Sequence, residues 1–581
     1  MRPIYRIALA LFFAAASLPA VAAEPDAPAA LISPSEAIRI AVQDRLSAKF
    51  TKATETQKTA QGGLVEYYSV PDQHLLWVDD NGLTDRAKAV MEEISKADEY
   101  GLRAADYELP KPDGLNAHDA SATSALADAE VKLSFAVLAY ARDARGGRID
   151  PSRLTENLDP TLALPDPLEV LDSIAIRSDP AAYLRSFQPD QPQFEALRHM
   201  LIELKGGGSA KADIVQIPDG PVLKKGVESD QVVLLRKRLE VASTSDDGLT
   251  SVNENLFDDA VDTAVRDFQK SRGVAADGVV GAGTRRLLNE QHHEASNPGK
   301  VRLILLNMER WRWLPHDLGP FYVNVNVPEF ILRVVEDDKI VHTTRVVVGK
   351  PEKQTPIFSQ DMQEVVFNPF WNVPNSIKTE EIRPYLTDGG GWFGGGGWNT
   401  AVLERHNLRI NIGGREVDPA SIDWGRVDIR SLNIYQPPGP DNVLGVVKFV
   451  FPNKHDVYMH DTPQRFLFAK PVRAESHGCM RVQNPDQLAA VLLKKDQGWS
   501  QGRIASAIAN GYDQHVKLEQ KIPVYITYFT ARVNEDGSLA TFSDLYGHDA
   551  RMASALKLGG AAPPPDPMFD NRREAFGLSP D

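Results

Sequence analysis

Cys479 is the only cysteine in a chain of 581 residues, and it lies within the run Ser476-His477-Gly478-Cys479-Met480-Arg481. His477 stands two residues before it and His460 nineteen. A thiol attacks as its thiolate and ionises near pH ~8.5 when unperturbed, so at neutral pH it needs a base and a favourable field. It also needs donors for the oxyanion that its attack creates. His460 and His477 are the bases at hand, and Arg481 offers a positive charge. Ser476-His477-Gly478-Cys479 has no helical periodicity and contains a glycine, which reads as a tight turn with backbone N–H groups facing an oxyanion. The fifteen residues Asp461–Glu475 are enough to bring the histidine and the turn together at modest entropic cost. A free cysteine is also commonly a small buried hydrophobe. Spacing alone does not separate the two histidines.

Two other chemistries use the same residue types. In a papain-like protease the cysteine precedes the histidine, the reverse of the order here. A zinc site from His455, His460, His477 and Cys479 has suitable ligands, but its His-x4-His and His-x-Cys spacings are not those of common zinc motifs. No metal or other cofactor is therefore expected.

The elements that must hold these residues read as β-structure. Lys448 to Met459 reads as a strand broken at Pro452-Asn453, with His460 at or just past its end. Ile304–Asn307, Phe321–Val327, Phe330–Val335 and Val341–Gly349 are short β-branched or aromatic runs, separated by Pro328 and by Glu336-Asp337-Asp338. They predict a β-rich domain reaching to about Thr530. A long excursion, about 374–446, interrupts it and contains the run Gly389–Trp398, which is nearly all glycine and aromatic. Mobility and aromatic contact area, here Trp392 and Trp398, suit a lid over a peptide substrate. A surface loop with incidental aromatics has the same composition.

The compartment is read from the first 23 residues. Arg2 and Arg6, the apolar stretch Ile7–Val21 and the small residues Ala20-Val21-Ala22-Ala23 form a secretory signal peptide. The stretch is short for a membrane span, and no later segment approaches one, so an exported chain is expected, with an uncleaved anchor as the alternative. Net charge is −15, or −17 once Arg2 and Arg6 are removed, which argues against nucleic acid and anionic membrane surfaces as partners. With one cysteine there is no intramolecular disulfide, and stability rests on packing.

Residues 24–205 read as a helical scaffold, with helices expected over about Pro34–Phe50 and Asp85–Leu102, and another carrying Val131, Phe135 and Leu138 that ends at Gly146-Gly147. A linker follows over 206–225, beginning Gly206-Gly207-Gly208-Ser209. In the compact segment 226–291, Val232, Leu235 and Leu239 mark one helical face and Val261, Val265 and Phe268 another, with a third helix from Thr284. Phe268-Gln269, Gly273-Val274, Asp277-Gly278-Val279-Val280-Gly281 and Thr284 resemble the peptidoglycan-binding three-helix repeat of cell-wall enzymes. A C-terminal extension, 531–556, and a polar, Pro-rich tail, 557–581, close the chain.

His460, fifteen residues and Ser-His-Gly-Cys resemble the active-site signature of the L,D-transpeptidase family. Further stretches look like the large periplasmic branch of that family: Glu309-Arg310, Gln354-Thr355-Pro356, Asn368-Pro369, Gln436-Pro437-Pro438-Gly439-Pro440 and Asp544-Leu545-Tyr546-Gly547. The resemblance implies a multidomain α+β protein with a helical scaffold, a small wall-binding module and a β-rich, β-sandwich-like catalytic domain over 300–530. Cys479 would be the nucleophile on a peptidoglycan tetrapeptide stem, and His460 the proton donor and acceptor. The main-chain carbonyl of Asp461 would orient His460, and His477 and Gly478 would belong to the catalytic turn. Arg481, Ser476, Tyr458, Gln436, Trp392 and Trp398 would contact substrate. The partners implied are peptide stems and glycan; protein partners are not read from the sequence.

Overall fold

The structure is a computed structural model, and it describes residues 33–48, 53–70, 73–111, 120–206, 215–239, 241, 253–271, 274–295, 297–386 and 398–559. The signal peptide, Trp392 with most of the Gly/Trp run, the centre of the linker and nearly all of the tail lie outside the described residues.

Capping chemistry sets the starts of the scaffold helices. Ser33 accepts a hydrogen bond from Glu36 N ahead of Pro34–Ser47, and Thr54 forms a reciprocal capping box with Gln57 ahead of Glu55–Ser69. The helix expected over Asp85–Leu102 stops at Ser95. A tight turn over Ala97–Tyr100 follows, and Gly101 closes it at φ +74. The long helix Ala120–Gly146 is the centre of the domain, and its Glu130 is fully buried. That carboxylate accepts from the Tyr68 hydroxyl (2.5 Å) and from the backbone N–H groups of Leu76, Trp77 and Val78, while burial pushes it up to about 7.

The segment after the linker forms helices Asp230–Arg238, Asp259–Ser271 and Ala282–Ala295 around Val232, Leu235, Val261, Val265, Phe268 and Leu288. The motif residues hold one another. Gln269 donates to Asp277 (2.7 Å) and to Val279 O (3.0 Å), and accepts from Gly278 N (2.9 Å). Gly278 sits at φ +70, where an added Cβ would meet Asp262 and Arg266, so the turn requires glycine.

Ile304–Asn307 is not a strand. It lies inside the helix Asn297–Trp311, whose Ile304 and Met308 pack on Phe194, Leu197 and Leu201 of the helix Pro192–Gly206. A four-residue apolar run fits either period, and the tertiary partner decided it.

The β-rich region is built on one nine-stranded sheet. Its order is Ala474–Ser476, Lys339–Gly349, Met480–Val482, Met459–His460, Val447–Val450, Ser359–Phe367, Gln514–Thr527, Phe321–Asn326 and Ile331–Glu336. The last strand also pairs with Lys339–Gly349, so the sheet closes on itself instead of forming two separate layers. Phe449, Met459, Met480 and Val482 point into its core, against Leu488, Leu492 and Ile504 of the two following helices.

The excursion is a folded subdomain. A small sheet of Trp371–Asn372, Asn433–Gln436, Arg409–Ile412 and Arg415–Val417 covers its own core of Val373, Ile382, Leu403, Ile410, Trp424 and Ile434. The C-terminal extension is knitted into the β-rich region: Arg310 pairs with Asp549 (2.5 Å), and Tyr528 donates to Asp544 (2.8 Å).

Candidate active site

Strand alternation assembles the site. Phe449, Met459 and Met480 occupy inward positions, so their neighbours Lys448, His460 and Arg481 take the opposite face. Lys448 is paired with His460 across an antiparallel ladder, and His460 with Arg481 across a parallel one. One residue before these pairs, Met480 N donates to Tyr458 O (3.1 Å), which sets Tyr458 beside Cys479. Lys448, His460 and Arg481 from three strands therefore share one surface, with Tyr458 and Cys479 each one residue before a strand of it. The Tyr458 and His460 rings lie 5.7 Å apart edge to face, and the Lys448 ammonium sits 3.9 Å from the Tyr458 ring centre.

His460 is buried, and its Nδ1 lies 2.5 Å from the main-chain oxygen of Asp461. A carbonyl oxygen only accepts, so Nδ1 carries the hydrogen, and the neutral ring keeps its lone pair on Nε2. Burial, the Arg481 charge and the Lys448 charge lower His460 to about 3, against the opposing pull of the Asp461 carbonyl. Part of the surface of Cys479 is open, yet burial pushes its thiol up to about 11. The Tyr458 main-chain N–H and hydroxyl, Lys448 and Arg481 oppose that rise. Both groups are thus neutral at pH 7. No hydrogen bond joins the His460 ring to the Cys479 sulfur among the described residues, and apo catalytic hydrogen bonds are commonly long.

The turn is held from beneath. Ser476 Oγ donates to Cys479 O (2.6 Å) and accepts from Gly478 N (3.2 Å). Thr355 Oγ1 donates to Gly478 O (2.8 Å) and accepts from Gly349 N (2.9 Å), and the Tyr546 hydroxyl donates to Gly349 O (2.6 Å). Gly478 takes φ +113, with Gln354 O 3.3 Å from where a Cβ would stand. The N–H of Gly478 is therefore occupied, whereas that of Cys479 has no acceptor among the described residues.

The other expected residues have different places. His477 is exposed and pairs with Glu381 of the excursion (2.5 Å), next to Lys353–Glu380 (2.7 Å). His455 pairs with Asp159 of the segment entering from the scaffold (2.9 Å). Arg481 donates to Gln464 (2.5 Å), and its buried Nε has no partner. Ser476 is buried and serves the turn. Gln436 is buried with both ends of its amide engaged, donating to His406 O and Asp441 O and accepting from Val443 N, each at 2.9 Å. It shapes the excursion and is not open to a ligand. Trp398 packs on the excursion's core. Sequence reasoning passed over Lys448, whose signal was a polar residue among apolar ones in a short strand. It assigned no role to Thr355 or Tyr546, although both stand in the stretches that carried the resemblance.

Residues 320–503, which contain the thiol, the imidazole and the turn, match the L,D-transpeptidase catalytic domain. The chain carries an L,D-transpeptidase catalytic domain. Residues 228–288 match the peptidoglycan binding domain, and residues 63–201 the scaffold domain. A curated relative from Haemophilus influenzae, named "Putative L,D-transpeptidase", is 32% identical over 250 residues. That stretch is 43% of this chain, and the chain spans about half (48%) of the relative's length. Among solved structures, an L,D-transpeptidase from Xylanimonas cellulosilytica is 16% identical, covering 53% of this chain and 99% of that one with a TM-score of 0.15. A fused zinc-dependent amidase/peptidase with a peptidoglycan-binding domain, from Clostridium acetobutylicum, is 13% identical, covering 53% and 100% with a TM-score of 0.14. Superpositions at those scores carry no argument about the transpeptidase domain.

Proposed function

We propose that the protein is a cysteine L,D-transpeptidase that forms 3→3 peptidoglycan cross-links in the periplasm. The observation that carries this reading is the tautomer of His460, whose free Nε2 shares a sheet face with Cys479. Sγ attacks the carbonyl between the third residue of a tetrapeptide stem, a diaminopimelate, and the terminal D-alanine, while Nε2 takes the thiol proton. The C–N bond breaks, D-alanine leaves with that proton, and a thioester remains on Cys479. The side-chain amine of a second stem then attacks the thioester and gives its proton to Nε2, which returns it to the departing sulfur. The N–H of Cys479 suits the oxyanion. The Asp461 carbonyl keeps the ring oriented, and the charges of Lys448 and Arg481 favour developing thiolate. The signal peptide would deliver the chain to the wall, and the three-helix module would retain it there. No helix among the described residues is long and apolar enough to cross a membrane.

The test compares the mature protein with Cys479→Ala on disaccharide-tetrapeptides, with products read by mass spectrometry. Wild-type dimers that disappear in the variant are expected, along with a covalent carbapenem adduct on Cys479. Dimers that persist in Cys479→Ala would sink the nucleophile. Free D-alanine without dimers would make the enzyme an L,D-carboxypeptidase. No product at all from wild type would leave a non-catalytic wall-binding scaffold.

A further inference from the structure

Lys448 is a cation without a carboxylate. It is half-buried on the face that carries Cys479, flanked by His460 on one strand and Val366 on the other. Its ammonium rests on the Tyr458 ring at 3.9 Å, and among the described residues it makes no hydrogen bond or ion pair. The nearest acidic groups on the neighbouring strands, Glu364 and Asp513, are engaged by His515 at 3.1 and 3.3 Å. On the far side of His460, Arg481 likewise meets no carboxylate, and its Nε is buried without a partner. Two cations therefore bracket the thiol and the imidazole, and the protein supplies neither with a counter-ion in direct contact. Removing a cation from water without pairing it is unfavourable, so such a pair attracts an anion into the cleft. The thiol is not that anion at rest, because it is protonated at neutral pH.

We infer that Lys448 is the receptor for the α-carboxylate of the residue that leaves, so that the site cuts one residue from a free C-terminus. The inference rests on the proposed function. In the terminal residue the carboxylate carbon is two bonds from the scissile nitrogen, through N–Cα and Cα–C bonds of about 1.5 Å each. A receptor one strand from His460 and stacked on Tyr458, the neighbour of Cys479, is placed to reach it. One extra residue moves the carboxylate by about 3.8 Å and removes it from reach. Lys448 would thereby favour tetrapeptide over pentapeptide stems and fix the scissile carbonyl over the sulfur.

The experiment measures acylation of the full mature chain by mass spectrometry, using disaccharide-tetrapeptide, its C-terminal amide and disaccharide-pentapeptide. Wild type is expected to acylate on the free acid roughly 10- to 100-fold more efficiently than on the amide, the scale of a charge-assisted contact in a desolvated site. Lys448→Met keeps the aliphatic stem on Tyr458 and should lose that preference, with the free acid and the amide acylating the variant equally well. Lys448→Arg should retain most of it. Iodoacetamide labelling of Cys479 across pH reports the thiol separately. Equal use of acid and amide by wild type would overturn the inference. So would a Lys448→Met variant that shifts the labelling profile but keeps the acid preference, because Lys448 would then serve the thiolate alone. Wild type that labels normally but is acylated by none of the stems would overturn the proposed function itself, and this inference with it.

Discussion

At the residue scale, the surroundings of His460 keep its ring neutral with the Nε2 lone pair free. Its native value is held at about 3 against 6.5 for a free ring, so below pH 6.5 the unfolded chain takes up a proton that the native protein does not. Stability from this group is complete above pH 6.5 and falls as pH drops toward 3. Between pH 6.5 and 4.5 the loss is about 2.3 kcal/mol, since the slope reaches ~1.36 kcal/mol per pH unit only below the unfolded value. His460→Gln should remove that share of acid sensitivity, seen as a smaller difference between urea denaturation midpoints at the two pH values. Identical pH dependence in wild type and variant would contradict the burial argument. The same low basicity keeps the resting pair neutral, so in the proposed reaction proton transfer would accompany attack on the carbonyl.

At the scale of elements, the catalytic turn depends on residues far from it in sequence. Thr355 bridges Gly349 N and Gly478 O from full burial, and Tyr546 fixes the same Gly349 from the C-terminal extension. Thr355→Val fills similar space but strands both partners, at a cost of about 1–3 kcal/mol. A lower melting temperature is expected, with acylation falling more than iodoacetamide labelling, since the turn would lose its shape while the thiol stays in place. Unchanged acylation would show that the turn holds without the bridge. The excursion belongs to this scale too. Its own apolar core makes it a body that carries Glu381 to His477, while the run read as a lid lies almost entirely outside the described residues.

At the scale of the whole molecule, scaffold and catalytic region are one packing unit. Glu309, wholly buried, accepts from Arg148 N (2.5 Å) and Ile149 N (3.2 Å) across the junction. Asp159 N donates to Ile357 O (2.8 Å), and the carboxylate of the same residue holds His455 in the loop before His460. Ile304 and Met308 of the helix Asn297–Trp311 are covered by the scaffold's Pro192–Gly206 helix. A fragment beginning at residue 297 would expose that apolar face and take away the Arg148 and Ile149 N–H donors of Glu309. It should be recovered mainly as aggregate. Residues 215–295, with their own core, should give a cooperative helical melt by circular dichroism. A soluble, cooperatively folding 297–559 fragment would refute the shared-core account.

The proposed nucleophile, base and turn were picked out from the sequence because they lie within 20 residues, His460 to Cys479, and are read from residue type and spacing. The strands Phe321–Asn326, Ile331–Glu336 and Lys339–Gly349 were legible for a similar reason: period-two patterning is local. What stayed hidden depends on register and on partners distant in the chain. The run Ile304–Asn307 suits either period until the helix Pro192–Gly206 packs on it. Gln436 looks like a free amide until the loop after it closes around both of its ends. Lys448 is one more strand residue until pairing with His460 sets it on the face of the thiol. By itself the sequence determined which groups are candidates for the chemistry. The closed sheet decided which face they share and what each is buried against, because those depend on contacts that spacing along the chain does not contain.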